Sequence, residues 1–190
     1  MSDHAPASGW DDSTRPTLAE PADTVYPPEQ VAVWEHLVDV HDMLRAELAQ
    51  LQNMLEQVRR GLLSVGDART QLHTMTMRQN NWTLGAYCAS YCRIVNGHHG
   101  LEDTGIFPHL RRVEPRTAAV VDRLAAEHVV IHGLLDEVDR AMVAVVRKEG
   151  VPEGLDALGA TIQRLAESLL DHLAYEEREL RGPLARHGFY

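Results

Sequence analysis

Apolar residues recur at Val33, Leu37, Val40, Leu44, Leu48, Leu51 and Leu55, in steps of three and four. That is the period of an α-helix with one buried face. The pattern predicts a first helix from Pro28, with proline at its first turn, to about Gly61. A second helix is expected within Asp67 to Thr104, kinked near Asn80, Asn81 or Gly85 and ending before Pro108. The third opens at Pro115, carries Val120, Val121, Leu124, Ile131, Leu134, Leu135, Val138 and Met142, and closes at Gly150. Pro152 opens a fourth, with Leu158, Ile162, Leu165, Leu169, Leu173 and Leu180 along it, until Gly182 and Pro183 end it. Four helices joined by short breaks predict an all-α, up-down-up-down four-helix bundle over residues 28–190. Residues 1–27 hold Pro6, Pro16, Pro21 and Pro27 among small and acidic residues, with no apolar period. They read as a disordered tail whose removal costs little stability.

Composition narrows the class. Hydrophobic residues make up 44% and charged residues 24%, as in a globular domain, and 190 residues suffice for one substantial core. Aromatic content is 5%, which gives strands little support. No apolar run approaches the ~20 residues of a membrane span, and Met1 to Trp10 lacks a signal-peptide pattern. The expected location is cytoplasmic. A formal net charge of −10 disfavours nucleic acid and anionic membranes as partners. Cys88 and Cys92 are the only cysteines, four apart on one helix, and read as small core residues.

The chemistry lies in the polar residues set inside the apolar stripes. His98 and Glu102 are four apart, as are His128 and His132, and His172 and Glu176; His41 adds one more imidazole. Residues four apart share a helix face. A single inward histidine is usually a hydrogen-bonded core residue, and a single His–Glu pair is usually incidental. Three such pairs on three consecutive helices point to a metal centre. Structural zinc wants four ligands, often thiolates, whereas seven nitrogen and oxygen donors suit iron or manganese. Five histidines against two carboxylates lean toward iron.

These stretches resemble the hemerythrin-like (HHE cation-binding) family. The residues that carry the resemblance are His41-Asp42-Met43-Leu44-Arg45, His98-His99-Gly100-Leu101-Glu102-Asp103 through Ile106-Phe107-Pro108, Glu127-His128-Val129-Val130-Ile131-His132, and His172-Leu173-Ala174-Tyr175-Glu176-Glu177. The resemblance implies two iron ions joined by an oxo or hydroxo group. His128, His132 and His172 would hold one, His41 and His98 the other, with Glu102 and Glu176 bridging. His99 and Asp103 are rotated about 100° from that strip and are expected not to touch metal. Oxygen-carrying members place an aspartate five residues after the last histidine; here Glu176 stands at four and Glu177 at five. Glu176 keeps the ligand face, with Glu177 as the alternative, and the departure weakens the case for reversible carriage.

The expected partners are dioxygen, nitric oxide or peroxide at an open iron position. Three roles stay open: a redox-reactive centre or oxidase, a carrier or sensor without turnover, and an iron-responsive regulatory domain. Gly97 and Gly100 would leave space near the metal, and Tyr91 lies on the same face, which favours the reactive role. Tyr91 and Trp34 otherwise read as core packing. His36, His73, His109 and His187 have no partner at metal spacing, and Arg111, Arg112 and Arg116 read as a solvated basic turn.

Overall fold

A computed structural model describes residues 10–18, 20, 24–62, 84–147 and 152–189. The described residues are all-helical, without strands, and their four long helical stretches are consistent with a bundle. Helix α1 spans Pro28–Arg59 and stops at Gly61, whose φ of 67° is a left-handed conformation that glycine adopts without steric cost. Helix α2 spans Leu84–Leu101 and runs directly into a π-helical turn at Glu102–Ile106, then into α3, Phe107–Val113. A 3-10 turn at Pro115–Thr117 leads into α4, Ala118–Arg147, and α5 spans Pro152–His187. No described helix is long and apolar enough to cross a membrane.

Two proline stops expected from the sequence are not stops. Pro108 sits in the first turn of α3, where a missing N–H costs no helical bond. The π turn delivers the chain there, with the Phe107 N–H bonded back to the Glu102 carbonyl. Pro183 lies inside α5, where a proline ordinarily costs ~3 kcal/mol. The helix continues because its flanks are held: Leu180 and Leu184 are fully buried, and Arg186 and His187 both bind the Glu114 carboxylate. The start of the second helix at Asp67, its kink at Asn80 or Asn81, His73, and the Gly150 stop lie outside the described residues.

The chain divides into two compact units. One comprises residues 1–43, 97–131 and 167–190; the other comprises 44–96 and 132–166. In the first, Leu37, Ile106, Phe107, Leu110, Leu124 and Tyr175 form the core. In the second, Leu44, Leu51, Met54, Tyr91, Leu135 and Leu158 are buried. Tyr91 donates its hydroxyl to the Leu44 carbonyl at 3.3 Å and acts as a packed core residue. Cys88 and Cys92 are free thiols, and burial pushes the Cys92 thiol up to about 11.

The expectation of disorder over residues 1–27 needs correction where the segment is described. Trp10 Nε1 donates to the Ser168 carbonyl at 3.0 Å, and the Leu18 N–H donates to Glu179 at 2.8 Å. Arg15 and Leu18 are buried. Composition alone misses this, because the segment docks through hydrogen bonds, the ion pairs of Arg15 with Glu127 and Asp171 and of Asp12 with Arg178, and a single leucine, rather than through a periodic apolar face. Residues 1–9, 19 and 21–23 lie outside the described part. The basic turn is also paired: Arg111 with Asp122, and Arg116 with Glu114 and, at 2.9 Å, with Glu20.

Candidate metal centre

The first unit gathers two groups of donors. Ligand atoms of His41, His98, Glu102 and Glu176 lie within 4.8 Å of one another, as do those of His99, His128 and His172. Four helical stretches supply them: α1 gives His41, α2 and its π turn give His98, His99 and Glu102, α4 gives His128, and α5 gives His172 and Glu176.

The imidazoles are aimed. His41 Nε2 and His98 Nε2 stand 3.0 Å apart, and His128 Nε2 and His172 Nε2 stand 3.1 Å apart. At three of these rings the opposite nitrogen is bound to a carboxylate: His41 Nδ1 to Glu177 at 2.8 Å, His128 Nδ1 to Asp103 at 2.9 Å, and His172 Nδ1 to Glu127 at 3.0 Å. A proton held on Nδ1 leaves the Nε2 lone pair free to bind a cation, the usual arrangement behind a metal-ligating histidine. Glu127 itself is buried, yet the hydrogen bonds from His172, Arg15 and Arg123 outweigh the cost of burial and hold its carboxyl down to about 2. His98 is pushed down to about 3 by burial and by the neighbouring His41 and His172, so it is neutral near pH 7.

The two carboxylates span the groups. Glu102 Oε1 lies 3.1 Å from His98 Nε2, and its Oε2 lies 3.5 Å from His128 Nε2. Glu176 Oε2 lies 3.6 Å from His41 Nε2 and 3.7 Å from His172 Nε2. All four oxygens of Glu102 and Glu176 are buried and have no hydrogen-bond donor. Burial and the adjacent Glu176 carboxylate raise the Glu102 carboxyl well above the ordinary range. Orphaned buried carboxylates are costly. Cations between them and the converging Nε2 atoms would remove that cost, so the donor set fits metal.

Six of the seven donors expected from spacing fall into the two groups. His132 does not; it belongs to the other compact unit and is half-buried. His99 stands in the three-imidazole group instead, fully buried and stacked on His128 at 3.9 Å. The grouping departs from the spacing rule for a geometric reason. Along the helix, Glu102 falls about 40° from His98 and about 60° from His99. A carboxylate facing two groups therefore sits between both histidines, and a single strip cannot hold all three. Glu177 is the hydrogen-bond acceptor for His41 Nδ1 rather than part of either group. Sequence reasoning assigned no role to Asp103, Glu127 or Glu177 behind the histidines. Their position next to or one turn from a ligand was the available signal.

A cavity of about 310 Å³ opens beside the two-imidazole group, with His98 and Glu102 in its wall. Val33, Leu37, Ile106, Leu184 and Phe189 make most of its lining apolar. Gly97 and Gly100 do not line it, and a Cβ added at either would meet nothing within 4 Å. Gly105, in the π turn, does matter: a Cβ there would come 2.8 Å from the Phe189 ring.

A family model for the hemerythrin HHE cation-binding domain matches residues 32–182, and the chain belongs to that family. Membership implies cation binding, and the two His and Glu groups are arranged so that they could hold the metal. The chain matches no curated protein and no solved structure.

Proposed function

We propose that the protein is a non-haem di-iron protein that binds dioxygen or a related small oxidant, nitric oxide or peroxide, and reacts with it. The observation that carries this reading is the convergence of Nε2 atoms on the unsatisfied oxygens of Glu102 and Glu176. His99, His128 and His172 would hold one iron, and His41 and His98 the other, with Glu102 and Glu176 bridging beside an oxo or hydroxo group. The helices would run up-down-up-down, since the start of α1 shares a unit with the end of α5. Two irons so held would supply the electrons for reduction of the bound oxidant.

The residues of the chain do the rest. His41 and His98 leave more of their metal's coordination unfilled than three imidazoles do. The apolar cavity reaches that side and admits a small uncharged molecule while excluding most ions. Glu177, Asp103 and Glu127 keep each imidazole in the tautomer that donates through Nε2. The opening of the cavity to solvent supports reaction over protected storage, since a carrier must withhold protons and water from its bound ligand.

The test is the stoichiometry of oxygen consumption. Iron-loaded protein should contain about two irons per chain. Reduced anaerobically and mixed with dioxygen in a stopped-flow instrument, it should oxidise rapidly and not return dioxygen under vacuum. Full recovery of dioxygen and of the reduced spectrum would make it a carrier. One tightly held zinc per chain, with no uptake of iron, would end the di-iron reading.

A further inference from the structure

We propose that the segment 10–18, which precedes the residues matched by the family model, is part of the metal centre, with Arg15 as a positioning residue for His172. This rests on the metal reading above. Arg15 enters the first unit with its side chain 1% exposed and meets Glu127, also 1% exposed, through two parallel bonds. Nε reaches Oε1 and Nη2 reaches Oε2, both at 2.9 Å. The same Oε2 accepts the bond from His172 Nδ1 at 3.0 Å. One carboxylate oxygen is therefore shared between a guanidinium from the N-terminal segment and a candidate metal ligand on α5.

The other two supporting carboxylates differ. Glu177 behind His41 is 19% exposed and Asp103 behind His128 is 34% exposed. Water can screen those two, whereas Glu127 is shut away from water. Arg15 takes the place of water as the charge that moderates it. With the guanidinium on Oε2, less of the oxygen's electron density is available to the Nδ1 proton, and the imidazole stays a neutral ligand. Without it, Glu127 would draw that proton more strongly and make His172 a more electron-rich donor, which favours the ferric state. Arg123, 27% exposed, would still hold Oε1 at 2.7 Å but does not reach Oε2.

The position of Arg15 is itself fixed. Its guanidinium lies 4.5 Å above the Tyr175 ring, and Nη1 is 3.3 Å from Asp171. The Tyr175 hydroxyl donates to the Pro16 carbonyl at 2.7 Å, and Trp10 is tied to Ser168. Asp171 and Tyr175 flank His172 on α5, so the segment grips the very turn that presents the ligand.

The experiment uses the full chain with cobalt(II) as the probe for affinity and the iron-loaded protein for reduction potential. Arg15→Gln is expected to weaken cobalt binding by about 10-fold, the lower end of the cost of disturbing a partner behind a ligand, because Glu127 loses the fork that fixes its position behind His172 and the loss of orientation outweighs the gain in donor strength, and to shift the reduction potential to more negative values. Arg15→Lys keeps the charge but not the fork, and should restore the potential more fully than the affinity. Met54→Ala opens the core of the other unit, away from every donor, and should lower the melting temperature without moving the potential. An Arg15→Gln protein that melts lower but keeps wild-type cobalt affinity and potential would overturn the proposal, leaving Arg15 a structural clasp. If Arg15→Gln does not fold, Arg15→Lys decides through the His172 Nδ1–H resonance of the cobalt-loaded protein, and an unshifted resonance overturns it. A wild-type chain that binds no cobalt would sink the metal reading itself, and this inference with it.

Discussion

The two halves of the centre are built differently. The half with His99, His128 and His172 is closed: the three rings are 0% exposed, His99 stacks on His128, and Phe107 lies 5.4 Å from His128 on a nearly parallel plane. The half with His41 and His98 has one imidazole fewer and has the 310 Å³ cavity against it. Glu102 and Glu176 group with His41 and His98, and one oxygen of each also comes within 3.7 Å of an imidazole of the closed half. With two metals bound as proposed, one position would be saturated by protein and the other left for an incoming molecule. The asymmetry originates in the amino-acid sequence, where α2 carries adjacent histidines that serve opposite sides of Glu102.

The largest effect should come from removing what the halves share. Glu102→Gln is expected to empty both positions, with iron falling from about two per chain to near zero by metal analysis. Without metal the same change should act in the opposite direction. Because burial and Glu176 raise the Glu102 carboxyl, the metal-free folded state binds a proton that the unfolded chain releases near the ordinary carboxylate value. The stability tied to that proton is present below about pH 4.5 and is lost as pH rises toward the raised folded value. Metal-free wild type should therefore lose melting temperature as pH climbs from 4.5, and Glu102→Gln should flatten that slope. An identical slope in the two proteins would show that Glu102 is not the group responsible.

The next prediction separates the donors of the closed half. His99→Ala should cost about one iron per chain, since three imidazoles would drop to two, and His132→Ala should leave the iron content unchanged. The reverse outcome would restore the assignment that spacing suggested. A smaller effect is expected on the open half. Val33→Trp narrows the cavity without touching a donor, so iron content should hold while nitric oxide binds several-fold more slowly in stopped-flow traces. Equal rates would mean that ligands reach the metal by another path. The smallest effect contrasts two glycines. Gly97→Ala fills open space on a helix and should stabilise by ~0.5–1 kcal/mol, raising the melting temperature slightly with the iron spectrum unchanged. Gly105→Ala presses on Phe189 and should not be stabilising.

Much of this was legible in the sequence. Steps of three and four along Val33 to Leu55, and again along Leu158 to Leu180, gave the long helices, because burial of one face imposes that period. His–Glu and His–x–x–x pairs located the metal-bearing stretches. The grouping of His99 with His128 and His172 was not legible, because a rule for one helix face cannot describe side chains that straddle a carboxylate. Pro108 and Pro183 misled for another reason: a π turn and tertiary packing override the local cost of proline. Arg15 was the hardest to see. One charged residue among prolines and acids carries no periodic signal, and its importance appears only once α4 brings Glu127 to it.

The spread of donors along the chain also orders events in time. Neither half is complete without α5, which brings His172 to one and Glu176 to the other. Ribosomes add about 5–20 residues per second, so a delay on the order of ten seconds separates the emergence of His41 from that of His172. During that interval no nascent chain holds a finished site, and α5 can dock only by setting Glu176 beside Glu102. The cation is then met at the last step of folding, when two facing carboxylates either share it or share a proton. A chain that met no cation would close on the proton instead, so the metal-free and metal-bound forms would differ in what sits between the same two side chains.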